Sequence, residues 1–206
     1  MSKPKLIGLM GRMGTGKSTV ADILHVEYGY KRSKFSQTLK DMMLCIPGVT
    51  NEMIEGRLKE VPNMIFGGRT PRYAMQKLGT EWGRDMMDPD IWVDSWHRRV
   101  EVYSSPISVE DVRFHNEANK IRELGGEIWL IERKSKIFSE HSSELDIEHI
   151  RPDYTFRNYG TKLKLSKLIG EHFVYHPANP EFVEQVEEPH MHDHHVKAFY
   201  EQKTNS

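Results

Sequence analysis

Apolar positions along this chain follow two rhythms. Lys5-Leu6-Ile7-Gly8-Leu9-Met10 is a short apolar run ending at a glycine-rich loop, the pattern of a buried parallel strand. Beyond the loop, Val20, Ile23, Leu24 and Tyr28 recur at helical spacing and predict an amphipathic helix. Residues 30–36 predict a short strand. Residues 38–46 predict a helix with Leu39, Met42, Met43 and Ile46 on one side, stopped by Pro47-Gly48. A short charged helix is expected over 51–61 and a loop at Gly67-Gly68. Thr70-Pro71, an N-cap followed by proline at the first helical position, starts a helix running to about Met87. On its wheel Met75, Leu78 and Trp82 share the packed face, while Arg72, Gln76, Gly79, Thr80 and Gly83 gather beside it. Glycine inside a helix costs about 1 kcal/mol relative to alanine, so this pair of glycines implies a close approach by something.

After Asp88-Pro89-Asp90, residues 91–100 predict a helix with Trp92 and Trp96 one turn apart. These tryptophans fill a core, or Trp92 stacks on a base. Ile107-Ser108-Val109-Glu110-Asp111 alternates as a strand does and delivers Asp111 and Arg113 to its C-terminal end, where open parallel sheets bind ligands. Phe114, Ala118 and Ile121 stripe the next helix, which ends at Gly125-Gly126. Arg113 and Glu117 on it have the spacing of an i, i+4 ion pair. Ile128-Trp129-Leu130-Ile131 predicts a central strand and Tyr154-Thr155-Phe156 the last one. A final helix carries Leu165, Leu168, Ile169 and Phe173. The polar stretch 133–149, with Arg133, Lys134 and Lys136, is expected to be a cover.

The chain has 206 residues, room for one substantial core. Its net charge of −1 favours a nucleotide-sized partner over a nucleic-acid polymer. The single cysteine, Cys45, excludes an internal disulfide and fits a reducing compartment. No apolar run approaches the ~20 residues of a membrane span, and a cytoplasmic location is expected. Beyond residue 174 the composition turns polar, with His190, His192, His194 and His195 in a tail lacking a metal-fixing framework.

Gly11-Arg12-Met13-Gly14-Thr15-Gly16-Lys17-Ser18-Thr19 fits G-x-x-x-x-G-K-[ST], and it stands between a strand and a helix as a phosphate-binding loop must. In such a loop backbone N–H groups and the helix N-terminus cradle phosphates, the lysine reaches the β- and γ-phosphates, and the serine hydroxyl meets Mg²⁺. These residues point to a nucleoside triphosphate without saying what is done with it.

Residues 71–82 (PRYAMQKLGTEW), Trp92, residues 111–118 (DVRFHNEA) and Gly125-Gly126 together resemble bacteriophage deoxynucleoside monophosphate kinases. The resemblance runs from the glycine loop to about Phe173. It implies a three-layer α/β P-loop kinase fold over residues 1–174, with a central mainly parallel sheet. An acceptor-binding helical insertion would span about 37–100 and a lid about 133–149, with the tail at 175–206. It further implies transfer of the γ-phosphoryl group of ATP, with Mg²⁺, to a 2′-deoxynucleoside 5′-monophosphate in an infected cell's cytoplasm, and leaves a homodimer open. By position Gly11, Met13, Gly14, Thr15, Gly16, Lys17, Ser18, Thr19 and Asn158 fall on the ATP site. Arg72, Gln76, Gly79, Thr80, Trp92, Asp111, Arg113 and Glu117 fall on the acceptor site. Lys17, Arg72, Asp111, Arg113 and Arg133 are the expected catalytic groups. Ser18 stands where several family members carry aspartate, which leaves the acidic partner of the metal open, with Asp111 as the candidate. Asp111 serves either that ion or the sugar, with Glu117 orienting Arg113. Kinases of other small molecules, such as dephospho-coenzyme A, share the loop. A guanine-nucleotide switch is disfavoured because Asn119-Lys120-Ile121-Arg122 lacks the aspartate of N-K-x-D.

Overall fold

A computed structural model describes residues 3–133 and 149–175. The expected lid from Lys134 onward and the histidine tail lie outside the described residues. Strands β1 (Leu6–Met10), β2 (Lys31–Ser33), β3 (Ile107–Val112), β4 (Glu127–Glu132) and β5 (Tyr154–Arg157) form one sheet in the order β2-β3-β1-β4-β5. Every pairing is parallel, so the C-terminal strand ends all lie along one edge. β1 is buried throughout because it is the middle strand, and its unbroken apolar run is what that position demands.

Helices cover both faces. On one face α1 (Lys17–Tyr28) and α7 (Lys162–Tyr175) pack Val20, Ile23, Leu24, Leu165 and Ile169 onto Ile7, Leu9, Trp129 and Phe156. On the other, α5 (Ile91–Val100) and α6 (His115–Glu123) pack Val93, Trp96, Ala118 and Ile121 onto Leu6, Met10, Val109 and Ile128. The layers are helix, sheet, helix, as expected of the α/β class.

Between β2 and β3 lies a helical segment with its own small core of Leu39, Met43, Ile54, Met75 and Trp92. It comprises α2 (Gln37–Leu44), the single turn α3 (Asn51–Ile54), α4 (Pro71–Gln76) and a π-wound continuation, Lys77–Met87. Two expectations are corrected here. The helix over 51–61 is α3 followed by a tight 3₁₀ turn, Arg57–Glu60, because Gly56 separates them in an extended conformation. The helix from Thr70 starts as expected, with the Thr70 hydroxyl accepting from Tyr73 N, but beyond Gln76 it widens to π winding. An i→i+5 bond of 2.9 Å from Asp88 N to Gly83 O closes it.

Candidate active site

The glycine loop joins β1 to α1 at the C-terminal edge of the sheet. Gly16 at the N-cap of α1 has φ 105°, a left-handed conformation that side chains resist. Lys17 turns back over the loop, its Nζ donating to Gly11 O at 2.5 Å and Arg12 O at 2.9 Å. The Thr15 hydroxyl donates to Arg12 O at 2.9 Å. The first-turn amides of α1 are helix N–H groups of the kind that bind anions. Met13 lies exposed at the loop, Ser18 exposed on the first helical turn, and Thr19 half-buried. Asn158, just past β5, is buried and donates from Nδ2 to Thr15 O at 2.8 Å. A Cβ on Gly16 would collide with that amide. Asn158 therefore clamps the loop from behind, a positioning contact within the ATP side expected of it.

A second group of charges gathers from α2, the 3₁₀ turn, α4 and the β3–α6 turn. Lys40, buried on α2, donates to Glu55 Oε1 at 2.6 Å, and Lys34 reaches the same oxygen at 3.2 Å. Arg72 pairs through Nε with Glu60, and its side chain is 33% exposed, so the pair is open to solvent and not locked in a core. Lys59 reveals the grouping most clearly. Burial first, and then Lys40, Arg72 and Arg113, hold its ammonium down to about 8 against the opposing pull of Glu55. Lys40, Arg72 and Arg113 thus all bear on the Lys59 ammonium, with Glu55 as the opposing carboxylate. Nothing in the sequence pattern marks Lys59 or Lys40 as part of a site. Only the folding of four separate elements onto one spot identifies them.

Several expected acceptor residues have other occupations. Trp92 is 3% exposed, with its Nε1 donating to Gly79 O at 2.7 Å. A Cβ on Gly83 would lie 2.5 Å from the Trp92 ring, and one on Gly79 would lie 3.1 Å from Leu39 Cδ1. The close approach implied by the helix glycines is therefore made by this protein's own side chains. The Trp92 ring is core, correcting the idea that it offers a face to a base. Gln76 is half-buried, Thr80 exposed, and Arg133 exposed at the end of β4.

β3 ends in a bulge: Gly8 pairs with Val109 and Met10 with Val112, leaving Glu110 and Asp111 together opposite Leu9. The extra residue sends the carboxylates to different partners. Glu110 takes Arg32 Nε at 2.5 Å and Nη2 at 2.8 Å, and the same guanidinium pairs with Asp22 of α1. Asp111 accepts from Phe35 N at 2.8 Å, Ser36 N at 3.1 Å and the Ser36 hydroxyl at 2.6 Å. It fastens the start of α2, and with it Lys40, to the sheet. Among the described residues no group of three His, Cys, Asp or Glu could hold a metal. Ser18 fits the hydroxyl ligand of a nucleotide-bound divalent ion, whereas Asp111, expected as the acidic ligand, has both oxygens committed to α2.

Glu117 is buried and accepts from Arg113 N at 2.7 Å and Phe114 N at 3.1 Å. Its ion pair is with Arg84, not Arg113, so the i, i+4 pair read from the spacing does not form; Glu117 orients Arg113 through its backbone.

The chain is 33% identical over 183 residues, 82% of its length and 92% of the relative's, to a protein of Acanthamoeba polyphaga mimivirus named "Putative deoxynucleotide monophosphate kinase". No family model matches. Among solved structures it is similar to TT1252 from Thermus thermophilus, at 16% identity and TM-score 0.48, over 84% of this chain and 98% of that one. It is also similar to dephospho-CoA kinase from Campylobacter jejuni, at 12% identity and TM-score 0.47, over 82% of this chain and 96% of that one.

Proposed function

The chain belongs to the deoxynucleotide monophosphate kinase family, and from that premise we propose that it transfers the γ-phosphoryl group of ATP to a 2′-deoxynucleoside 5′-monophosphate. The products are ADP and the deoxynucleoside diphosphate. The observation that carries this reading is the second cationic group. A glycine loop accounts for one anionic ligand, and Lys40, Lys59, Arg72 and Arg113 call for another. A monophosphate dianion relieves the repulsion that Lys40, Arg72 and Arg113 exert on the Lys59 ammonium, which a neutral or cationic acceptor would leave.

Phosphoryl transfer asks the protein for alignment and charge neutralisation more than for covalent chemistry. Lys17 and the first-turn amides of α1 hold the donor's phosphates. Arg72, Lys59 and Lys40 grip the acceptor phosphate, and Arg113, at the β3–α6 turn, stands at the C-terminal sheet edge to which the loop also belongs. Arg133, at the end of β4 on that edge, adds charge toward the transferring group. Asp111 acts by holding α2 in place. When bound with the nucleotide, Mg²⁺ supplies neutralisation of the phosphate oxygens, with Ser18 as its protein ligand.

The test is ADP formation across the four deoxynucleoside monophosphates and dephospho-coenzyme A. Turnover with at least one monophosphate is expected; turnover with dephospho-coenzyme A alone would overturn the reading. The Arg72→Ala variant is expected to raise KM for the monophosphate about tenfold or more, the worth of one charged hydrogen bond, and to leave KM for ATP nearly unchanged. Equal loss for both substrates would make Arg72 structural.

A further inference from the structure

The helix that carries Arg72 and the turn that carries Arg113 are far apart in sequence, yet a buried ion pair joins them. Arg84, in the π-wound continuation of α4, donates from Nη2 to Glu117 Oε1 at 2.7 Å, with the side chains only 14% and 3% exposed. Its guanidinium lies 4.0 Å from the centre of the Phe114 ring, and Nη1 donates to Pro89 O at 3.2 Å. The other oxygen of Glu117 is the one that accepts the Arg113 and Phe114 amides. Asn116 adds a clasp to the same corner, donating to Pro89 O at 2.9 Å and Asp90 Oδ1 at 2.7 Å.

We propose that Arg84 is a positioning residue of the acceptor site: its ion pair holds the Glu117 carboxylate, whose other oxygen fixes the backbone of Arg113 relative to the helix bearing Arg72. This rests on the reading of the site given above. An ionised carboxylate is acceptor-only and serves Arg84 and both amides together; once protonated, one oxygen becomes a donor and that set cannot be satisfied in full. The groups facing Glu117 are Arg84 from the π-wound segment, Asp111 from β3, and the amides at the start of α6. Asp90, at the N-cap of α5, stands one step away through Asn116. Burial raises the Glu117 carboxyl, Arg84 and the amides pull it down, Asp111 adds to the rise, and together they place it at about 7. With Arg84 gone the carboxyl is expected to titrate about one to three pH units higher.

The experiment is a pH titration of the Arg113 and Phe114 amide resonances by ¹⁵N NMR in wild type, R84M, R84K and E117Q, paired with KM for the monophosphate and for ATP at each pH. The amide midpoint is expected near 7 in wild type, at least about one pH unit higher in R84M, between them in R84K, and absent in E117Q. The ratio of acceptor KM in R84M to that in wild type should be about fivefold or more at neutral pH, as the ionised fraction falls, and should decline toward one as pH rises past the R84M midpoint. KM for ATP should stay within about twofold throughout, because Arg84 acts on the acceptor side. An unmoved midpoint in R84M overturns the proposal, as does an acceptor KM raised equally at every pH. Should R84M fail to fold, R84K and E117Q make the same comparison. The amide titration needs no substrate, so a protein that phosphorylates no monophosphate defeats the functional reading while the midpoint still decides the role of Arg84.

Discussion

Gly83 and Trp92 are two halves of one contact. A helix glycine is unfavourable by about 1 kcal/mol against alanine, so Gly83→Ala should stabilise an isolated helix. Here the new methyl group would sit 2.5 Å from the indole, a buried ring whose N–H is anchored on Gly79 O. Overpacking of that kind costs about 1–3 kcal/mol, which outweighs the gain. Gly83→Ala is therefore expected to lower stability in urea unfolding. Unchanged or raised stability would show that Trp92 moves freely. From sequence the glycines were legible as a close approach, but the approaching group was not, because residues 79, 83 and 92 meet only after the chain turns at Pro89. Asn158→Ala tests the clamp on the loop. Loss of the buried bond to Thr15 O should raise KM for ATP by about tenfold and leave the acceptor KM alone; an unchanged KM for ATP would leave the clamp without a role in donor binding.

At the scale of elements, local chemistry was readable and irregularity was not. The Thr70-Pro71 helix start, the helix after the glycine loop and the apolar strands follow from capping and periodicity, and all stand as expected. The bulge at Glu110–Asp111 did not announce itself. A strand pattern carries a strict alternation, and only pairing with β1 shows Val112 back on the face of Val109. The π winding was equally hidden. The Arg84–Glu117 pair joins side chains 33 residues apart, and an i, i+4 alternative in Arg113 masked it. Glu117 gives this corner a pH signature. Its carboxyl is raised from 4.5 to about 7 on folding, so between those values the folded state holds the proton more firmly than the unfolded chain. Stability from this group is greatest below pH 4.5 and is lost as pH rises through about 7. The difference in unfolding free energy between wild type and E117Q should therefore fall across that window, at up to about 1.4 kcal/mol per pH unit, and then level off. A difference that rises with pH would show that the pairing with Arg84 outweighs burial.

For the whole molecule, the layered α/β fold was legible because a phosphate loop between strand and helix, followed by further strand–helix alternation, admits few arrangements. The proposed acceptor site was foreshadowed only in part. Arg72 and Arg113 were expected in it, while Lys40 and Lys59 look like ordinary surface lysines until α2, the 3₁₀ turn, α4 and the β3–α6 turn converge. Under the proposed function, acceptor capture at this convergence would depend on two protons. Glu117 must be ionised, above about 7, and Lys59 protonated, below about 8. The kcat/KM for the monophosphate should therefore be bell-shaped with limbs near those values. The alkaline limb should move upward in kcat, because a bound phosphate dianion stabilises the Lys59 ammonium. A profile flat across this range would separate both groups from acceptor binding.

The most direct measurement is calorimetric titration of a deoxynucleoside monophosphate, and separately of ATP, into wild type and the Lys59→Met variant at pH 7. Loss of one charged contact to the acceptor phosphate is expected to weaken the monophosphate about tenfold to a hundredfold while ATP binds within twofold of wild type. Equal weakening of both ligands, or of neither, would contradict a distinct acceptor site at Lys40, Lys59, Arg72 and Arg113.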